Sequence, residues 1–354
     1  MLPKFRSAIR RKLLRWYENN KRDLPWRRAR DPYSVWIGET MLQQTQVKTV
    51  VPYYEEFLQA FPTVESLARA PLQRVLRHWS GLGYYRRAEN LSQAAREISR
   101  RHRGKIPDDY DGLRALPGVG DYTAGAVLSI AFDQRYPAID GNVRRVLGRL
   151  VRIESDRELR AVAAALVPKS NPGEFNQALM ELGATVCTPQ NQRCRDCPIR
   201  SLCASGSRLG ARRARSRHNA AKFKNVVWPL ALIRRGGKIL LQRRAAHGLL
   251  AGLWDLPGRP LAGRERIAAL LQVHLAELKS ARARPKKIGE IRHAMTYRRI
   301  RAPIYLVDVE AHIGVDLPGS RWRWVHPLKI RQQATSSMTA KAVALFSRYE
   351  TDSL

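Results

Sequence analysis

The sequence predicts a multidomain chain: an all-α region that ends in four cysteines, then a smaller α+β domain. Three observations carry that reading. Apolar residues recur three and four apart from about Phe5 to Cys203, the periodicity of helices. The segment Ser205–Lys224 then holds seven basic residues and no acid, the composition of an exposed linker. Beyond it, short runs of β-formers flank turn residues, as strands require. The expected boundaries are 1–204 for the helical region, 205–224 for the linker and 225–354 for the second domain.

The elements follow in order. Ile9, Leu13, Trp16 and Tyr17 predict an amphipathic first helix, within an Arg-rich start that lacks the apolar run of a secretory signal. Helical patterns continue through Val64–Ala68 to Val75–Trp79, Ala88–Ile98, Leu159–Leu166 and Phe175–Val186. Pro62, Pro71, Gly104, Pro107, Pro168 and Pro172–Gly173 punctuate them. In the second domain, Val226–Ile233 and Lys238–Arg243 flank Arg234-Arg235-Gly236-Gly237 and predict a β-hairpin. Arg301–Val309 and Arg321–Val325 predict strands, and Glu265–Leu278 and Met338–Tyr349 predict helices.

Charge narrows the partners. The 64 Lys and Arg against 30 Asp and Glu leave +34, with a pI near 11.1. Such a chain calls for a polyanion, either nucleic acid or an anionic membrane surface. The basic excess runs from Arg6 to Arg348 instead of forming one block, which suits a long groove better than a tail. A hydrophobic share of 44% excludes a disordered polycation. No stretch free of Asp, Glu, Lys and Arg exceeds 11 residues, well short of the ~20 that a membrane-spanning helix needs.

Cys187, Cys194, Cys197 and Cys203 are crowded into one segment, which points to a metal site and a reducing compartment. A structural zinc site usually faces two short cysteine or histidine pairs, and only one Cys-x2-Cys pair exists here. Four thiolates also make the ligand set of a [4Fe–4S] cluster, and the spacing leans that way. Upstream, Leu116-Pro117-Gly118-Val119-Gly120 precedes a helix expected over Tyr122–Phe132. Gly118 and Gly120 permit positive φ, so Gly118, Val119 and Gly120 can aim backbone N–H groups at a phosphate. An ordinary turn would read the same way.

These motifs, with Asp140-Gly141-Asn142-Val143, resemble the helix–hairpin–helix DNA glycosylase superfamily. Leu24-Pro25-Trp26-Arg27, Glu39 to Val47 and Gly81-Leu82-Gly83-Tyr84-Tyr85 narrow the resemblance to the adenine DNA glycosylase (MutY) family. The resemblance is dense from Leu24 to Cys203 and weaker beyond. It implies a [4Fe–4S] cluster on the four cysteines and removal of adenine mispaired with 8-oxoguanine or guanine in double-stranded DNA. The expected setting is a cytoplasmic monomer, on the nucleoid if the source is bacterial, with no membrane.

Excising adenine needs one carboxyl kept protonated and one kept ionised. Glu39 has Val35, Trp36 and Leu42 as helix neighbours, an apolar surface that raises a carboxyl pKa, although a solvated glutamate is the plainer fate. By resemblance it is the general acid. Asp140 precedes a helix and reads first as its N-cap, ionised through the helix dipole. By resemblance it stabilises the sugar cation. Tyr122 stands where the endonuclease III group carries an attacking lysine, which implies a glycosylase without lyase activity. The resemblance makes Gln44 and Tyr84 wedges that fill the helix after base flipping. It makes Arg22, Leu24, Trp26, Arg27, Leu42 and Gln177 the adenine pocket.

Gly248 to Gly258 looks Nudix-like, but Gly258–Leu278 offers only Glu265 and Glu277 instead of a carboxylate cluster, so a recognition module is expected. Two departures stand out. Met295-Thr296-Tyr297 replaces the family's Phe-Ser-His loop, leaving Thr296 and Tyr297 to face 8-oxoguanine. Asp121 sets an acid beside the phosphate clamp, tolerable if it caps the following helix. The alternatives are an oxidised-pyrimidine glycosylase/lyase of the endonuclease III type and a non-enzymatic damage sensor.

Overall fold

The computed structural model describes residues 2–28, 30–153, 155–206, 223–263, 265–277, 283–295, 297–309 and 321–352. Among these, residues 2–70 and 89–206 form one compact unit, and residues 71–88 and 223–352 form another. Most of the expected linker, and Thr296, lie outside the described residues.

The helices in chain order are α1 (Pro3–Asn20), α2 (Pro25–Arg28), α3 (Pro32–Leu42), α4 (Val47–Ala60), α5 (Val64–Arg69) and α6 (Leu72–His78). They continue as α7 (Arg86–Arg101), α8 (Tyr110–Ala115), α9 (Asp121–Ile130), α10 (Gly141–Val151), α11 (Asp156–Leu166) and α12 (Pro172–Thr185). Side chains start many of them by accepting a free backbone N–H, which fixes where the helix begins. Asp31 accepts from Ser34, Asp109 from Gly112, Asp140 from Val143 and Ser155 from Glu158, while Thr63 and Ser66 cap α5 reciprocally.

In the first unit, Ile9 and Leu13 of α1, Val146, Leu147 and Leu150 of α10 and Phe175, Leu179 and Leu182 of α12 form one core. Glycine lets two close approaches happen. A Cβ on Gly125 of α9 would lie 2.2 Å from the Pro137 carbonyl oxygen, and one on Gly173 of α12 would lie 2.5 Å from that of Ser129. Asn176 ties the same region together, donating to Ser129 Oγ and to the Tyr136 carbonyl, each at 2.8 Å. The extended stretch leading to Asp140 is thereby held against α9 and α12.

Residues 71–88 continue the helical periodicity yet pack with the second unit. Gln73 Nε2 donates to the Gly252 carbonyl at 2.9 Å, and the Ser80 and Tyr85 hydroxyls reach that of Thr335. Periodicity reports a helix, not the body it packs on, which is why the sequence places this segment with its chain neighbours.

The sheet comprises β1 (Lys224–Val227), β2 (Leu230–Arg235), β3 (Lys238–Arg243), β4 (Trp254–Asp255), β5 (Lys286–Met295), β6 (Arg298–Asp308) and β7 (Trp322–Val325). Its order is β1-β6-β2-β3-β4, with β5 on β6 and β7 on β3. The hairpin expected between Val226 and Arg243 is present as antiparallel β2 and β3, with a first strand shorter than expected. Its first strand breaks at Trp228-Pro229, because proline has no N–H for the ladder. β1 and β2 both run parallel to β6, and β2 keeps its antiparallel pairing with β3 on the other side. Strand β5, which pairs along β6, has no counterpart among the expected strands. Helices α13 (Ile267–Glu277) and α14 (Ser337–Thr351) complete the unit. Buried Asp255 accepts the Ser336 N–H at 3.0 Å and the hydroxyls of Ser336 and Thr339 at 2.6 and 2.8 Å, which locks the start of α14.

Two glycines should respond oppositely to alanine. Gly125→Ala should cost about 1–3 kcal/mol by overpacking. Gly148, inside α10 with open space where a Cβ would go, should give about 0.5–1 kcal/mol of stabilisation. Urea midpoints at unchanged slope test both, and a stable Gly125→Ala would contradict the close approach.

Candidate active site

Helices α3 and α9 bring Glu39 and Tyr122 together, and the Tyr122 hydroxyl donates to Glu39 Oε2. Met180 Sδ lies 3.8 Å from the same hydroxyl. Glu39 is 5% exposed, among buried Val35, Trp36 and Met41. Burial above all pushes its carboxyl up to about 7. The Tyr122 hydrogen bond pulls it down, the Asp140 charge pushes it up, and Arg27 pulls it down. Burial and the two nearby carboxyls also push the Tyr122 phenol well above its usual value.

Asp140 caps α10. Its Oδ1 accepts the Val143 N–H at 2.7 Å and its Oδ2 accepts Asn142 Nδ2 at 2.8 Å. Its pKa is nevertheless raised, by burial, against the pull of Val143, Asn142 and Arg145. Loss of water thus outweighs its hydrogen-bond donors and the Arg145 charge in setting the direction. Arg145 continues the chain of contacts. It donates to Asn142 Oδ1 at 2.7 Å, to the Gly183 carbonyl at 2.8 Å and to the Cys187 carbonyl at 2.8 Å.

Arg22 and Arg27 converge on Glu181, which the sequence reading missed. Arg22 grips its carboxylate through Nε at 2.6 Å and Nη2 at 2.9 Å, and Arg27 through Nη2 at 2.7 Å. Burial alone would raise the Glu181 pKa, but the two guanidinium groups hold it below its ordinary value. Glu181 lies one turn after Gln177 on α12, and that i,i+4 spacing was the available signal. Gln177 accepts from the Tyr17 hydroxyl at 3.3 Å.

A cavity of about 260 Å³ opens beside these groups, lined among others by Tyr17, Arg22, Arg27 and Gln177. Glu39, Tyr122 and Asp140 are not in its wall, and neither are Leu24, Trp26 or Leu42. Trp26 instead packs edge-on against Tyr54 at 5.5 Å, next to Gly38, as a core residue does. Leu24 is buried too, and Leu42, the last residue of α3, is half-buried.

Gln44 in the first unit and Tyr84 in the second are both exposed, Tyr84 by 42%, and both adopt left-handed φ, +57° and +49°. Residues with a Cβ occupy that region at a cost, and strain of this kind concentrates at functional loops. The Arg87 guanidinium stacks over Tyr84 at 5.5 Å and over Trp79 at 5.3 Å.

In the hairpin before α9, Gly118 takes φ +77°, whereas Gly120 is extended at φ −93°. Gly120 therefore supplies open space instead of positive φ, since a Cβ there would meet nothing within 4 Å. Val119 between them is buried. Asp121 is the first residue of α9 and not its cap. It pairs with Arg114 at 2.9 Å and Arg160 at 3.3 Å, so two guanidinium groups offset the acid beside the clamp.

The four cysteines form no disulfide with one another and line one void of about 30 Å³ with Arg149 and Arg200. Arg149 Nη1 donates to the Thr188 carbonyl at 2.8 Å and lies 3.3 Å from Cys187 Sγ. Among the described residues, no three His, Cys, Asp or Glu side chains converge as single-ion ligands. In the second unit, Tyr297 forms the exposed β5–β6 turn, and Glu265 is held by Arg259 at 2.7 Å.

The Glu39 environment has a thermodynamic consequence. A folded pKa above the unfolded value gives stability that is full below 4.5 and lost as pH rises through about 7. Glu39→Gln, which cannot ionise, should stabilise the fold on the order of 3 kcal/mol at about pH 8 and hardly at all at about pH 4. Unfolding curves at both pH values check this. An equal difference at both would remove the buried carboxyl as its cause.

Residues 37–169 match the model of the HhH-GPD superfamily of base excision DNA repair proteins, and residues 230–345 match that of the NUDIX domain. The chain is 36% identical over 408 aligned positions to adenine DNA glycosylase of Rattus norvegicus, covering 97% of this chain and 78% of the rat protein. It is 37% identical over 385 positions to adenine DNA glycosylase of Homo sapiens, covering 89% and 70%. Among solved structures, a thermostable thymine-DNA glycosylase aligns with a TM-score of 0.55 at 29% identity, over 58% of this chain and 97% of that one. With helical and Nudix-type units in this order, and relatives of this identity along nearly its whole length, the chain belongs to the adenine DNA glycosylase family.

Proposed function

We propose that this chain is a monofunctional DNA glycosylase of base excision repair, hydrolysing the N-glycosidic bond of adenine mispaired with 8-oxoguanine or guanine. The observation that carries the reading is the Glu39–Tyr122 hydrogen bond beside the capping carboxylate Asp140. Glu39, neutral below about 7, donates its proton to a ring nitrogen of the extruded adenine. The C1′–N bond breaks with its electron pair passing to the base. Asp140, with donors from Val143 and Asn142 on its charged form, stabilises the sugar cation until water adds at C1′ and releases a proton. Tyr122 orients Glu39, and a phenol cannot form the Schiff base a lyase requires.

The remaining residues serve binding. Arg22 and Arg27, fixed by Glu181, and Gln177, fixed by Tyr17, form the polar wall presented to adenine. Leu42 supplies an apolar edge, while Leu24 and Trp26 act through core packing behind it. Gln44 and Tyr84 fill the helix after base flipping. Gly118 and Gly120 offer backbone N–H groups to phosphate, while the Val119 N–H holds the hairpin closed by donating to the Leu116 carbonyl at 3.2 Å. The four cysteines fit a [4Fe–4S] cluster better than zinc. Cluster ligands bind different irons and stand farther apart than ligands of one ion, which agrees with four thiols around a void and no single-ion convergence. When bound, the cluster cross-links the loop that ends the helical unit. In the second unit, Tyr297 at the β5–β6 turn is the residue to face 8-oxoguanine; Thr296, the other expected contact, lies outside the described residues.

Glu39→Gln should abolish adenine release from duplexes carrying A opposite 8-oxoguanine while duplex binding persists, and wild-type single-turnover rates should fall as pH rises through about 7. The product strand should break only after alkali. Borohydride trapping of the wild-type enzyme would favour a lyase instead.

Metal analysis should find about four irons per chain, with broad visible absorbance. Cys197→Ser should lose both and lower the melting temperature. One zinc in a colourless, active protein would refute the cluster and leave the glycosylase reading standing.

A further inference from the structure

The exposed end of the second unit's sheet carries two aromatic rings, each covered on one side by an arginine. Phe223 is 48% exposed, and the Arg299 guanidinium lies 4.7 Å from its ring centroid. Tyr297 is 45% exposed, with Arg298 at 4.4 Å and Arg298 Nη2 donating to its hydroxyl at 2.9 Å. The rings are neighbours by register. Lys224 pairs with Arg298 and donates its N–H to the Tyr297 carbonyl at 2.8 Å, which sets the preceding Phe223 beside Tyr297.

The surrounding face is basic. Arg299 and Arg301 alternate with buried Ile300 and Ala302, so they point outward. Arg292 is opposite Arg301 on β5 and also exposed. Glu290, 3.8 Å from Arg301, is an acid on this face. A large exposed phenylalanine gains nothing from water. A ring held upright by a guanidinium on one side, with half its surface open and further cations close by, suits a nucleobase π-face with its phosphate.

We propose that Phe223, clamped by Arg299 and standing beside Tyr297, is a stacking platform for an unstacked nucleotide of the DNA substrate, gripping it without reading the base. The proposal rests on the glycosylase reading, which requires a base to leave the stack and so disrupts its neighbours. Because every base has a π-face, the contact is indifferent to sequence and to the lesion. It thereby differs from the role expected of Thr296 and Tyr297.

The test is fluorescence anisotropy of the full-length chain on three probes. These are a duplex with non-cleavable 2′-fluoro-deoxyadenosine opposite 8-oxoguanine, the same duplex with guanine, and single-stranded oligothymidine. Phe223→Ala should weaken all three by about fivefold or more, the lower end for losing one base–aromatic stack, while Phe223→Trp should keep full affinity. Arg299→Gln should weaken binding and flatten the dependence on log salt by about one. Unchanged melting curves confirm that a half-exposed position has not disturbed the fold. Affinity within about twofold of wild type on every probe would overturn the platform. So would a loss confined to the 8-oxoguanine duplex, since the ring would then be a lesion reader. A wild type that binds all three probes but releases no adenine from the matching duplex with ordinary deoxyadenosine opposite 8-oxoguanine would overturn the glycosylase reading alone, because binding reports the platform independently of chemistry.

Discussion

Asp140 is both the cap of α10 and a carboxyl that acts on Glu39, and a chain of side-chain contacts runs from it to the cysteine loop. Asn142 fixes one of its oxygens, and Arg145 fixes Asn142 and the Cys187 carbonyl together. A single helix end thereby links the carboxyl pair to the cysteine loop through three side chains. Arg145 bridges partners on α10, on α12 and just beyond it, using the fork of a guanidinium, which a lysine point charge cannot reproduce.

The chemistry of the site follows from unequal solvation of two acids. Glu39 has one donor and almost no water, whereas Asp140 has a backbone and a side-chain donor in a half-buried position. Each carboxyl is raised by burial, yet the donors on Asp140 compensate more. In the proposed reading the pair divides into an acid and a carboxylate, with Arg27 drawing the Glu39 pKa down and Arg145 that of Asp140. Glu181 shows the opposite outcome on the same helix bundle, where two arginines overcome burial and keep the carboxylate ionised.

The two units use arginine in different ways. In the helical unit, arginines are spent on buried acids and carbonyls, which makes the pocket wall rigid. In the second unit they lie over aromatic rings, with Arg235 on Trp324, Arg299 on Phe223 and Arg323 on Trp254. A guanidinium stacked on a ring can still direct its edge N–H groups to a second partner, as Arg323 does to Gln333 Oε1 at 2.8 Å.

The sequence by itself determined the helical unit, the break into an α+β domain and the order of the motifs. Periodicity, turn residues and cysteine spacing are local properties that survive without knowledge of neighbours. Glu39 was marked by the family resemblance, since Val35 and Trp36 on its helix left a solvated glutamate the plainer reading of the residues alone. Tertiary structure decided what depends on groups distant in the chain. Glu181 emerges only once Arg22 and Arg27 fold back across more than 150 positions to meet it. Residues 71–88 join the second unit through carbonyls at Gly252 and Thr335, which no window of sequence contains. Trp26 reads as pocket or core until Tyr54 and Gly38 close around it. The direction of the Asp140 shift belongs here too, because a helix cap is written in two residues whereas desolvation is set by everything packed around them.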